Sequence, residues 1–226
     1  MVLVLVVGDL HVPQRAASIP KVFTQMFTPG RIQLVLITGN VGCREMYDYF
    51  RSIVPDVYCA KGEFDSCWWP NVNSKHASDT DKLLQDTHVI NVESLRIGLI
   101  HGHQAIPCGD RDMLAMLQRK LDVDVLVSGA THNNKVFEFG GHLFVNPGSI
   151  TGAFTTRRLD VVPTFVLLDI QDKKVTSFSY AYAPGEGVGG EDFKIKRKTW
   201  IKDEEEEGEE TQKPPASAVP PPPPPE

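Results

Sequence analysis

The chain has 226 residues, with 23 Lys and Arg against 29 Asp and Glu, for a formal charge of −6. The whole deficit lies from Lys202 onward, where eight acids meet two bases, so residues 1–201 carry 21 charges of each sign. A neutral body of one-domain length with an acidic tail lacks the clustered Lys and Arg that neutralise phosphates, which excludes nucleic acid and anionic membrane surfaces as direct partners.

Met1–Val7 is apolar but short, lacks a basic flank and runs into Gly8-Asp9, so it reads as a buried strand over Val2–Val7 rather than a signal peptide or membrane span. Further β-branched runs follow, each ending in a Gly-plus-polar cluster: Leu34–Ile37 before Thr38-Gly39-Asn40, Val57–Ala60 before Lys61-Gly62-Glu63-Phe64-Asp65, Ile97–Ile100 before His101-Gly102-His103, and Val123–Val127 before Ser128-Gly129-Ala130-Thr131-His132. Such runs suit strands covered on both faces. Helix-compatible stretches lie between them at Ile19–Phe27, Arg44–Ile53 and Asp110–Leu121, the last with Met113, Leu114, Met116, Leu117 and Leu121 as a core stripe.

After His132 the pattern changes to strands and tight turns. Val136–Phe139 and Leu143–Asn146 form a hairpin, Thr164–Ile170 and Val175–Tyr182 a second pair, and Phe193–Ile201 a last edge strand. Two segments stand outside this scheme: residues 66–81, a polar loop around Trp68-Trp69-Pro70, and residues 202–226, an acidic run followed by prolines that cannot bury a core and is expected to be disordered. The expectation is one α/β domain over residues 1–201. Four scattered cysteines without a CxxC, Cys43, Cys59, Cys67 and Cys108, fit a reducing, cytosolic compartment.

In an α/β sheet the residues just past the strands gather at one edge. Here those residues are Asp9, His11, Asn40, Glu63, Asp65, His101, His103 and His132. Carboxylate oxygen, amide oxygen and imidazole nitrogen are the donor set of Zn²⁺, Mn²⁺ or Fe, and this many donors allow a two-metal site. His103 is a second candidate ligand or a group that orients a neighbour; Asp65 supports a ligand or caps a turn. Asn146-Pro147-Gly148-Ser149 reads as a tight turn in which Ser149 is a local backbone partner, not a nucleophile.

The order Asp9-x-His11, Gly39-Asn40, Gly62-Glu63-Phe64-Asp65, His101 and Gly129-Ala130-Thr131-His132 resembles the metallophosphoesterase family. Together with His101-Gly102-His103-Gln104 and Asn146-Pro147-Gly148-Ser149, it is most similar to the branch of that family that serves retromer, the endosomal complex that recycles membrane cargo. The resemblance implies a four-layer α/β/β/α sandwich of two mixed sheets flanked by helices. By carry-over it implies a first metal at Asp9, His11, Asn40 and His132 and a second at Asn40, Glu63 and His101, a degraded two-metal site that holds Zn or Mn or is metal-free.

Four positions depart from the enzyme pattern: Glu63 replaces an Asn and adds a carboxylate that restores some charge, while three other changes remove function. Asn40 replaces a bridging Asp, Phe64 replaces a histidine that handles protons, and Ala130 replaces a ligand, all to the detriment of catalysis. The resemblance therefore implies a non-catalytic scaffold, peripheral to endosomes, that docks its metal-site face on the large α-solenoid retromer subunit. Phe64 and Ile106 are then partner contacts for that subunit or for regulators, although Phe64 alone is equally readable as a core residue. A weak metal-dependent phosphodiesterase or phosphatase is the alternative.

Overall fold

The computed structural model describes residues 1–67, 85–156, 158–183 and 193–202. The greater part of the polar loop at 66–81 and the tail from residue 203 lie outside the described residues. The first sheet holds β1 (Val2–Val7), β2 (Leu34–Ile37), β3 (Val57–Cys59), β9 (Thr164–Gln171), β10 (Lys174–Tyr182) and β11 (Phe193–Ile201). The second holds β4 (Thr87–Val92), β5 (Leu95–Ile100), β6 (Val125–Val127), β7 (Lys135–Phe139) and β8 (His142–Asn146). Their orders are β11-β10-β9-β1-β2-β3 and β4-β5-β6-β8-β7. Both are mixed: β1, β2 and β3 run parallel beside antiparallel β9, β10 and β11, and β5, β6 and β8 run parallel between antiparallel β4 and β7.

Three apolar clusters define the layers. One packs Leu5, Val7, Val35 and Ile37 of the first sheet with Phe23 of α1 (Lys21–Met26) and Tyr47, Phe50 and Ile53 of α2 (Arg44–Ile53). A second lies between the sheets, with Val4, Val6, Leu34 and Leu36 facing Ile97, Leu99, Val125 and Val127. The third packs Ile100, Leu126 and Phe144 with Leu114 and Ala115 of α3 (Arg111–Leu121). The layers are thus α/β/β/α. The period-2 geometry of a strand explains why the runs are apolar throughout: odd residues of β1 serve the helix layer and even ones the inter-sheet core.

Asp110 caps α3, its carboxylate accepting from the Asp112 and Met113 amides at 3.1 Å, and Asp122 at φ 51° ends it. Met116 does not belong to the core stripe: it is 55% exposed, and Gln118 is buried instead, donating to the Val123 carbonyl at 2.5 Å. Strand β4 departs from the sequence pattern; His88, Ile90 and Val92 are buried while Thr87, Val89 and Asn91 face out, an alternation that polar residues disguise in the sequence.

Candidate metal centre

The carboxyl ends of β1, β2, β5 and β6 meet across the sandwich, because glycine lets them. A Cβ on Gly8 would lie 1.9 Å from Thr38 Oγ1, and one on Gly129 would lie 2.3 Å from the same atom. Just beyond, Asp9, His11, Asn40, Ala130 and His132 all have φ between 48° and 63°, the left-handed region that residues other than glycine seldom adopt. The loops hold this backbone from several sides: the His11 amide donates to the Asn40 carbonyl at 2.7 Å, Ser149 Oγ to the Asp9 carbonyl at 2.7 Å, and Thr151 Oγ1 to the Leu10 carbonyl at 2.7 Å. Ser149, which also accepts from the Ala153 amide, is therefore a long-range brace of the Asp9 loop as well as a local partner.

Asp9, His11 and His132 are buried, with one ligand atom from each lying within 4.8 Å of the others. His11 Nε2 and His132 Nε2 are 3.2 Å apart, and His132 Nε2 is 3.7 Å from Asp9 Oδ1. A Zn–N bond of about 2.0–2.1 Å places tetrahedral neighbours roughly 3.3 Å apart, so this spacing suits one cation. The ring of His132 is oriented to bind it, since Nδ1 donates to the Ala153 carbonyl at 2.6 Å and leaves the Nε2 lone pair for a ligand bond.

The electrostatics agree. Among the described residues neither carboxylate oxygen of Asp9 has a well-formed hydrogen bond. Burial raises its pKa to about 8, only partly opposed by the Ala130 backbone and the Asn40 side chain. Burial, helped by the Arg15 charge, lowers His11 to about 3 and holds it neutral, and burial lowers His132 too. An unpaired buried carboxyl beside two neutral imidazoles is a donor set that a divalent cation completes.

The donors expected for a second cation are arranged differently. His101 Nδ1 donates to the Thr38 carbonyl at 2.6 Å, so its Nε2 accepts from Asn40 Nδ2 at 3.0 Å, while Asn40 Oδ1 accepts from the Phe64 amide at 3.0 Å. Asn40 and His101 are thus satisfied by each other and by the backbone. Glu63 is exposed and outside the cluster of Asp9, His11 and His132, and Ala130 offers no donor. His103 Nδ1 is buried without a partner among the described residues, beside His101 with ring centroids 5.4 Å apart.

Asp65 takes the structural role that the sequence left open. Its carboxylate accepts from the amides of Asn40 at 2.7 Å, Val41 at 2.8 Å, Gly42 at 3.4 Å and Gly62 at 2.8 Å, tying the β2 and β3 loops together.

The rim is apolar. The Phe64 ring, 45% exposed, meets His11 edge-on at 5.4 Å; Ile106, five residues past His101 in the chain, is 77% exposed. Arg15 and Phe154 carry no signal in the sequence, because neither directly follows a strand: the Arg15 guanidinium lies 4.8 Å from the Phe64 ring centroid and 5.7 Å from that of Phe154, and donates to the Phe154 carbonyl at 3.2 Å. Phe154 is itself 46% exposed.

Residues 2–173 match the calcineurin-like phosphoesterase superfamily domain. Vacuolar protein sorting-associated protein 29 of Schizosaccharomyces pombe is 35% identical over 188 residues, which cover 81% of this chain and 93% of that protein. Among solved structures, Vps29 of Chaetomium thermophilum superposes with a TM-score of 0.77 at 37% identity, over 90% of this chain and 100% of that one. Vps29 of Entamoeba histolytica complexed with Zn²⁺ does so with a TM-score of 0.73 at 43% identity, over 87% and 98%. Fold, strand-end donors and sequence agree: the chain belongs to the Vps29 family within the calcineurin-like phosphoesterase superfamily.

Proposed function

We propose that the chain is a non-catalytic retromer subunit that acts in vacuolar protein sorting and endosomal cargo recycling, docking its metal-centre face on the large α-solenoid subunit. The observation that carries this reading is the rim: Phe64, edge-on to His11, and Phe154, joined to it through Arg15, expose apolar surface beside a buried donor cluster, where an esterase working on phosphate needs protic groups. Asn40 and Phe64 supply neither bridging charge nor a proton, and Asn40 is engaged with His101. The same rim suits regulators that bind beside the solenoid. The bound cation is Zn²⁺ or Mn²⁺ at Asp9, His11 and His132, in keeping with the Zn²⁺ complex of the Entamoeba relative. The test is binding of the full chain to the purified solenoid subunit: Ile106→Asp and Phe64→Asp should each weaken it at least ~30-fold, as for a central interface residue. Unchanged binding for both refutes the docking face.

A metal-dependent phosphodiesterase is the second reading, favoured by the intact Asp9, His11 and His132 trio. Turnover of an aryl phosphodiester by Mn²⁺-loaded protein, lost in Asp9→Ala, would establish it over the scaffold.

A further inference from the structure

Strands β10 and β11 carry a basic groove on the face that, further along, belongs to the inter-sheet core. The pairs Val175↔Trp200, Ser177↔Lys198 and Ser179↔Lys196 stand in register, and alternate residues of a strand share one face. Val175 and Trp200 are buried between the sheets. Two and four residues along, that face carries serine and lysine, and with Val136 of β7, which packs against the inter-sheet core, Ser177, Ser179, Lys196 and Lys198 line a groove of about 380 Å³. Lys196 and Lys198 form no ion pair among the described residues. In a body whose charges cancel, this is a concentration of one sign.

The matching charge is in the same chain. Lys202, which follows β11, is anchored by its amide to the Lys173 carbonyl at 3.0 Å and by Nζ to Asp124 at 2.8 Å. Asp203-Glu204-Glu205-Glu206-Glu207-Gly208-Glu209-Glu210 comes next. Lys198 lies four residues before Lys202, about 13 Å along the strand, and eight residues reach about 26 Å, so the acidic run can return to the groove. A lone surface ion pair is weak, but a tethered segment meets the groove at an effective concentration in the millimolar range.

We propose that the acidic run Asp203–Glu210 docks in this groove at Lys196 and Lys198 and competes there with acidic peptides of other proteins. Zero-length carbodiimide cross-linking of the full chain, read by mass spectrometry, should join the run to Lys196 or Lys198 in preference to the exposed Lys21, Lys120 and Lys135, and 0.5 M NaCl should suppress the products. A full-length variant with Glu204–Glu207, Glu209 and Glu210 changed to Gln should bind a fluorescent octaglutamate peptide about tenfold more tightly than the unmodified chain, and Lys196→Gln with Lys198→Gln should remove that gain. Cross-links spread evenly over the lysines, or equal peptide affinity of the two chains, would overturn the proposal.

Discussion

His11 Nε2 and His132 Nε2 stand 3.2 Å apart, although one follows a strand of the first sheet and the other a strand of the second. A cation bound between them joins the two sheets, so its affinity adds to the stability of the whole sandwich. At a free Zn²⁺ concentration 100 times the Kd the gain is about 2.7 kcal/mol. For a chain of this size that corresponds to roughly 5–11 °C in Tm by calorimetry. His132→Ala should lose nearly all of the Zn²⁺-dependent shift.

Metal binding should also be linked to protons through Asp9. Its pKa of about 8 in the folded chain, raised by burial from 3.8, means that the folded protein holds one more proton than the unfolded chain between pH 4 and 8. Stability of chelator-treated protein contributed by this group is present below that window and falls as pH rises through it. The cation requires the carboxylate, so at pH 7 binding releases close to one proton and affinity increases with pH. Titration calorimetry in two buffers of different ionisation enthalpy measures that proton. His11 works in the other direction: held down to about 3 by burial, its contribution is present at neutral pH and lost as pH falls from 6.5 toward 3.

Asn40→Asp replaces a donor with an acceptor opposite His101 Nε2, which is itself an acceptor because Nδ1 donates to Thr38. The two groups then repel until a proton or a cation lies between them. We expect a loss of about 1–3 kcal/mol in chelator-treated protein and recovery of that loss in Mn²⁺, both read from urea unfolding. A variant insensitive to Mn²⁺ would mean that one amide is not what keeps His101 from serving as a ligand.

Gly129→Ala tests the close approach of the strand ends. The new methyl would lie 2.3 Å from Thr38 Oγ1 and 3.2 Å from Asp9 Oδ2, so it displaces the loop that carries His132. Overpacking of this kind costs about 1–3 kcal/mol. Because the hydroxyl is the nearest atom, Thr38→Ala should relieve part of the cost, giving a coupling of at least ~0.5 kcal/mol in a double-mutant cycle.

These relationships show which parts of the molecule are visible in one dimension. The strand runs and the Asp9, His11, Asn40, His101 and His132 positions are legible because a strand end fixes where the next residue goes, whatever the rest of the chain does. Strand β4 is hidden because its outward residues are Thr87, Val89 and Asn91 and its inward ones include His88. Arg15 and Phe154 are hidden for another reason: they come from loops 139 residues apart, and only the packed sandwich brings them together over Phe64. Nor could residue type decide between Asn40 as a metal bridge and Asn40 as the hydrogen-bond partner of His101, since both use the same amide.

Asp65 provides the most direct test of what holds the site together. Its two oxygens accept four backbone amides, from Asn40, Val41, Gly42 and Gly62, within a fully buried setting. Asp65→Asn keeps the volume but turns one acceptor into a donor that faces other donors, so the amides it served become buried and unsatisfied. Charge-assisted bonds of this kind make the loss about 2–4 kcal/mol. Hydrogen exchange should rise at Asn40, Val41 and Gly62 before it rises in β1 or β9, because those amides lose their acceptor directly while the strands keep their ladder. Exchange that rises equally in all strands would show instead that the carboxylate stabilises the sandwich globally, without a particular role in the loops that carry Asn40 and Phe64.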